Sequence, residues 1–301
     1  MRHYPNFDWL RLFFAVQVVA MHSGAWERVL INPVPAFIAV SGFVVLGSIE
    51  RRSLTSFFLS RALRVLPLLF VSFLVIGAIF GASEMRQTFL FWLWPMGPAP
   101  LNAVVWTLIY EEVLYVCMAI LFVFGFYRRP LLIAVAFIGS LYFARNPPPF
   151  LYPVTYVLIS SFLLGSVAYL YRHWIVRLPS MVAIGWFVLG MAGVATLKYS
   201  MGSWVDDFFV HLIAIAGALC FAIAGPQLPR LALDLSYSLY LFHLLSRALL
   251  MHFIPLGVPL FMAMLATTIP VCVVAWYGIE RPFLSLRDRL FFRRLPARYP
   301  S

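Results

Sequence analysis

Long apolar runs alternate with short polar stretches along the whole chain, and most of the polar stretches carry arginine. The runs have the length of helices that cross about 30 Å of hydrocarbon, not that of the short alternating strands of a barrel. The pattern predicts ten membrane helices, at 7–24, 34–50, 60–80, 102–125, 130–145, 153–171, 181–198, 207–224, 235–253 and 258–279. The stretch FLFWLWPMGPAP (Phe89–Pro100) is too short to span, and its aromatics suit an interfacial or re-entrant piece before the fourth helix. Arg11, Gln17 and His22 interrupt the first run, and no small-residue cleavage site follows it, so it reads as a retained helix. No soluble domain and no internal repeat is visible. The expected fold class is all-α, a polytopic membrane helix bundle, with residues 1–285 as the transmembrane domain and 286–301 as a basic cytoplasmic tail.

Composition sharpens this picture. Of 301 residues, 63% are hydrophobic and 11% charged, and the mean hydropathy is +0.93. So little polar surface does not cover a soluble core. The net charge is +11, and 21 of the 22 basic residues are arginine. They are spread between apolar runs rather than clustered, which points to membrane topology and away from nucleic acid. With the N-terminus inside, 17 basic residues fall on the cytoplasmic side and 5 outside (Arg28, Arg86, Arg145, Lys198 and Arg247). Both termini are therefore expected in the cytoplasm and the protein in a bacterial inner membrane, with several passes. Cys117, Cys220 and Cys272 lie far apart in apolar runs, without metal or disulfide spacing.

The remaining polar residues raise the chemical question. Charges at bilayer depth cost several kcal/mol, roughly 2.5–3.5 on insertion scales, so they face the bundle interior, pair, or do chemistry. Arg11 and His22 are eleven steps apart, nearly three helical turns, and share one face about 16 Å apart along the axis. Glu111 and Glu112 are adjacent in the fourth helix and point about 100° apart, so only one of them faces a given cavity. Glu111 lies at a level that His22 shares, where a carboxylate would orient the imidazole as a general base. A structural role, as partner of a buried arginine, is the other reading of either carboxylate. Arg61 and Arg64 share a face at i,i+3 near the cytoplasmic end of the third helix, either as an anchor or as a phosphate clamp. Ser236, Tyr240, His243 and Arg247 form a polar stripe that is a cavity wall or an interhelical seam. Ser41-Gly42 at mid-depth of the second helix suits packing or substrate lining. Glu27, Asp206 and Asp207 read as solvated loop acids.

In order along the chain, FDWLRLFFAVQVVAMHS, AVSGFVV, FFLSRALRVLP, VVWTLIYEEVLYV, LSYSLYLFHLL and GIERPFLSLR are similar to segments of the acyltransferase-3 family, the membrane acyltransferases of the O-antigen and exopolysaccharide type. Thr107 stands where that family's fourth-helix stretch has Ser, and Leu114 where it has Phe. The pieces cover residues 6–287. The resemblance implies transfer of an acyl group, usually acetyl, from cytoplasmic acyl-CoA to a hydroxyl of a carbohydrate-type or secreted-metabolite acceptor across the membrane. It implies His22 as the catalytic histidine, Glu111 as its support, Arg11, Arg61 and Arg64 as the acetyl-CoA side, and no metal. Ser41, Trp106, Tyr110 and Tyr240 are candidate oxyanion donors or lining residues, and His243 a further lining residue. General-base catalysis and transient acylation of His22 both fit the residues. The competing reading is a transporter or exporter with His22, Glu111 and His243 as a relay. The paired, broken helices of many secondary transporters are not visible in the sequence.

Overall fold

A computed structural model describes residues 4–25, 30–196 and 207–292. Arg2, Glu27, Arg28, Lys198, Asp206 and the basic residues beyond 292 lie outside the described residues. Among the described residues, each of the ten expected segments contains a helix. The elements are α1 (Asn6–Ser23), α2 (Pro33–Ile49), α3 (Leu54–Phe80), α4 (Ala82–Leu93), α5 (Trp106–Val123), α6 (Pro130–Arg145), α7 (Pro153–Leu170), α8 (Arg172–Ile175), α9 (Ser180–Ala195), α10 (Phe208–Ala224), α11 (Ser236–Leu250), α12 (Val258–Ala275) and α13 (Arg281–Phe292). A 3₁₀ turn, Ala103–Val105, leads into α5, and a π turn, Trp276–Glu280, joins α12 to α13. No strand occurs among the described residues.

The outer surface of the bundle is apolar, unlike that of a soluble protein, and polar groups are buried within it. Leu74, Phe124, Leu189 and Val274 are among many large apolar side chains exposed on the outside, while Gln17, His211, Ser236, His243 and Glu280 are buried inside. Outward apolar surface with inward polar groups is what hydrocarbon solvent selects. The helices ending at Phe80, Val123 and Leu170 and the one running from Val258 are long and apolar enough to cross a membrane, while α2, α6, α9 and α10 are apolar but shorter.

Two boundaries differ from expectation. Helix α3 begins at Leu54, where the Ser53 hydroxyl accepts from the Ser56 N–H at 3.3 Å. The polar LTS start hides this turn from a hydropathy reading, although nothing in it opposes a helix once capped. Arg61 and Arg64 are thereby about two turns inside α3 instead of at its end. Phe89–Leu93 forms the last part of α4, which packs on α3. The chain stays helical past 279, so α13 runs across position 286.

Helix α1 is moored at both ends. The Asn6 amide donates to Phe221 O and Pro226 O and accepts from the Leu228 N–H at 2.8 Å. The Gln17 Oε1 accepts from the N–H groups of Leu30 and Ile31, which sets the approach to α2. Helices α2 and α7 cross so closely that a Cβ on Gly42 would overlap the Phe162 carbonyl, and one on Gly165 the Ala39 carbonyl. Gly42 thus serves backbone approach.

Candidate functional site

A cavity of about 280 Å³ opens between α1, α2, α3, α5, α11 and α13. Its charged walls are Asp8 and Arg11 from α1, Arg61 and Arg64 from α3, Glu111 from α5, Asp234 ahead of α11, and Arg287 from α13. Asp234 ties three elements together. One carboxylate oxygen accepts from Arg64 Nη2 at 2.5 Å and Arg11 Nη1 at 3.2 Å, and the other from the Ser236 hydroxyl at 2.6 Å. Burial works against this charge, but the guanidiniums of Arg11 and Arg64 and the Ser236 hydroxyl more than offset it. They hold the Asp234 carboxyl below the usual carboxylate range. Buried Glu280, delivered by the π turn, lies near enough to Arg64 to act on it electrostatically. Arg61 makes no hydrogen bond or ion pair among the described residues, and its Nε is buried without a partner. Glu111 acts on it as a counter-charge.

The Glu111 carboxylate accepts from the hydroxyls of Ser41 and Tyr115. It lines the cavity but does not bond His22, contrary to the pairing expected from depth alone. Equal depth leaves open the azimuth around the bundle, and α5 aims Glu111 at α2 and α3. Glu112 is half-buried and has no hydrogen-bond or ion-pair partner among the described residues.

Val34, Phe37, Thr107 and Tyr240 also line the cavity. The Tyr240 hydroxyl lies 2.7 Å from Thr107 Oγ1 and donates to Val104 O at 2.9 Å, which locks α11 to the entry of α5. The Phe37 and Tyr240 rings meet edge-on, 5.8 Å between centroids. Beyond them, one turn along α11, His243 meets His22, with His243 Nε2 3.1 Å from His22 Nδ1. His22 Nδ1 is also 2.9 Å from Val18 O. His243 Nδ1 is 2.7 Å from Tyr240 O and 3.2 Å from Leu239 O. His243 is fully buried, and His22 only partly.

The shared face of Arg11 and His22 is realised: Arg11 reaches Asp234 just ahead of α11, and His22 reaches His243 within it. Ser41 and Tyr240 line the cavity. Tyr110 faces a separate apolar groove of about 1210 Å³, together with Cys117 and residues 147–153. Trp106 packs edge-on against Tyr110 and lines neither space. Asp207 is partly buried at the start of α10. Sequence reasoning missed Asp234, Glu280 and Arg287. The usable signal for Asp234 was its position two residues before the polar stripe, where an Asp satisfies a helix start and could face the arginines.

An apolar shell around a charged cavity and a buried histidine pair is the arrangement of a membrane protein. A family described as "Acyltransferase domain" matches residues 4–277, and the chain belongs to this acyltransferase-3 family of membrane acyltransferases. Over 360 aligned positions, covering 97% of this chain and 96% of the relative, it is 29% identical to Nodulation protein 10 of Rhizobium leguminosarum bv. viciae. No solved structure matches.

Proposed function

We propose that the protein is a multi-pass inner-membrane enzyme that moves an acyl group, in the first instance acetyl, from cytoplasmic acyl-CoA to a hydroxyl of a carbohydrate-type acceptor at the outer face. One observation carries this reading. A single polar row follows α11 from Asp234 and Ser236 in the arginine cavity, through Tyr240 in its wall, to His243 against His22. Every arginine of the cavity belongs to the side that the charge count assigned to the cytoplasm. This supports ten spans and internal termini.

The arginines suit the phosphates of coenzyme A, and Arg61, free of an ion pair, is best placed to gain one. Arg11 and Arg64 share their charge with Asp234, which fixes their side chains and leaves a smaller net field. About 280 Å³ admits a thin pantetheine arm but not a whole coenzyme A, so the nucleotide stays at the mouth. His22 takes the proton of the acceptor hydroxyl as its oxygen attacks the thioester carbonyl. The C–S bond then breaks, the thiolate leaves with the proton held by His22, and the new ester carries the acyl group. His22 does not line the cavity, but Tyr240, which does, lies against His243 with ring centroids 6.2 Å apart, so the acyl end reaches the base past Tyr240. Glu111, bonded by Ser41 and Tyr115, balances Arg61 and shapes the inner cavity.

The test uses protein reconstituted in liposomes, with acetyl-CoA binding and slow thioester hydrolysis as readouts, since hydrolysis needs no acceptor. Wild type is expected to bind and turn over, His22→Ala to bind without turnover, and Arg61→Ala to bind weakly. Normal turnover by His22→Ala at normal expression would refute the role of His22. Absence of acyl-CoA binding by wild type would refute the donor.

A further inference from the structure

We infer that His243 is the positioning partner of His22: it holds the His22 proton on Nδ1 and leaves Nε2 as the nitrogen that takes the acceptor's proton. The inference rests on the acyl-transfer reading for its purpose, but the proton positions follow from hydrogen-bond chemistry alone.

The argument starts at the buried end. A carbonyl oxygen only accepts, so a ring nitrogen 2.7 Å from Tyr240 O and 3.2 Å from Leu239 O carries a proton. His243 Nδ1 is therefore N–H. In a neutral ring, His243 Nε2 is then a bare acceptor. His22 Nδ1, 3.1 Å away, must supply the proton for that contact, and the same N–H faces Val18 O at 2.9 Å. Both neighbours of His22 Nδ1 accept, and neither can donate to it. Neutral His22 is left with an unprotonated Nε2, which makes no hydrogen bond among the described residues.

The direction of the chain is thus set by two backbone carbonyls of α11, which cannot reverse. A histidine that merely fills space would not impose this order, and Val18 O alone would hold Nδ1–H less firmly than two acceptors do. Among the described residues no carboxylate bonds His22: Glu111 is occupied by Ser41 and Tyr115. Arg247 of α11 is the charged group that acts electrostatically on both rings. Val18 on α1, Val104 ahead of α5, and Tyr240 and Leu244 on α11 form one apolar cluster. When His22 takes a proton on Nε2, its Nδ1–H still donates to His243, so the imidazolium keeps a partner throughout.

Two measurements test this. The first is nitrogen-15 NMR of histidine-labelled wild type in lipid, with His22→Gln used only to assign the signal. It is read above pH ~7, where an imidazole of ordinary pKa is neutral. The expected His22 signal shows a protonated Nδ1 and a bare Nε2, and a proton on Nε2 overturns the inference whether or not the enzyme turns over. The second compares His243→Gln, whose side-chain oxygen can accept from Nδ1–H, with His243→Phe, which cannot. Phe is expected to lower kcat roughly 10- to 100-fold with the donor KM within about twofold, and Gln to retain kcat within about fivefold. Equal loss in both variants, or a loss that falls on the donor KM, overturns it. Failure of the acyl-transfer reading is distinct, since wild type would then turn over no thioester while the NMR still reports the tautomer.

Discussion

The two ends of α11 solve the same problem, polar groups inside a membrane bundle, in opposite ways. At the Asp234 end, full charges neutralise one another: one carboxylate faces two guanidiniums and a hydroxyl, with Glu280 and Arg61 close by. At the His243 end, two imidazoles and three carbonyls form a chain of hydrogen bonds with no carboxylate among the described residues. Between them stands the Tyr240 hydroxyl, tied to Thr107 and Val104. The charged end is a scaffold, in which removing one partner strands another charge in low dielectric. The histidine end leaves one ring nitrogen uncommitted, and an uncommitted lone pair is what proton transfer needs.

That contrast is open to direct attack. The largest effect is expected at His22. His22→Ala should lower acyl transfer by roughly 10²–10⁴, the usual worth of a general base, with acyl-CoA binding unchanged. A loss of binding instead would make the two ends one site. Next is Asp234→Ala, expected to cost roughly 3–5 kcal/mol in thermal or denaturant unfolding in detergent, because Arg64 and Arg11 lose their counter-charge. Unchanged stability would show the cluster to be solvated rather than structural. Arg61→Gln should raise the Kd for acyl-CoA about tenfold, measured by calorimetry, and should flatten its salt dependence, while unfolding is unaffected. Equal destabilisation would place Arg61 in the scaffold. The smallest effect belongs to Tyr240→Phe, which removes one hydroxyl from the wall at a cost of about 1 kcal/mol. Its turnover should stay within a few-fold of wild type, and a collapse comparable to His22→Ala would make Tyr240 part of the reacting centre instead of a lining residue.

Asp234 is also the group through which acid acts on the scaffold. Its folded pKa is depressed, so its contribution is present above the unfolded value and is lost as pH falls through the folded one. The ion pairs at this end therefore persist across the neutral range.

The helices were legible because hydropathy and helix periodicity are local properties. The register of Arg11 against His22 follows from 3.6 residues per turn and needs no neighbour. Boundaries failed where hydropathy and hydrogen bonding part company. The polar turn Leu54–Ser56 and the charged stretch after Glu280 are helical because their backbones are bonded, not because they are apolar. This is why Arg61 and Arg64 sit deeper in α3 than expected, and why Arg287 was read as part of a tail.

By itself the sequence determined an apolar, arginine-flanked chain of helical segments, the family to which it belongs, and the side chains that must be buried. It also determined which of them share a helix face. The tertiary structure alone decided the partners. Asp234 lies 223 residues from Arg11 and 170 from Arg64, and no local pattern connects them. His22 meets His243, 221 residues on, where depth in the membrane had suggested Glu111. Depth is one coordinate, written along each helix by its own residues. The other two, azimuth and neighbour, are set by how the helices pack, and at α2 and α7 that packing rests on two missing side chains, at Gly42 and Gly165.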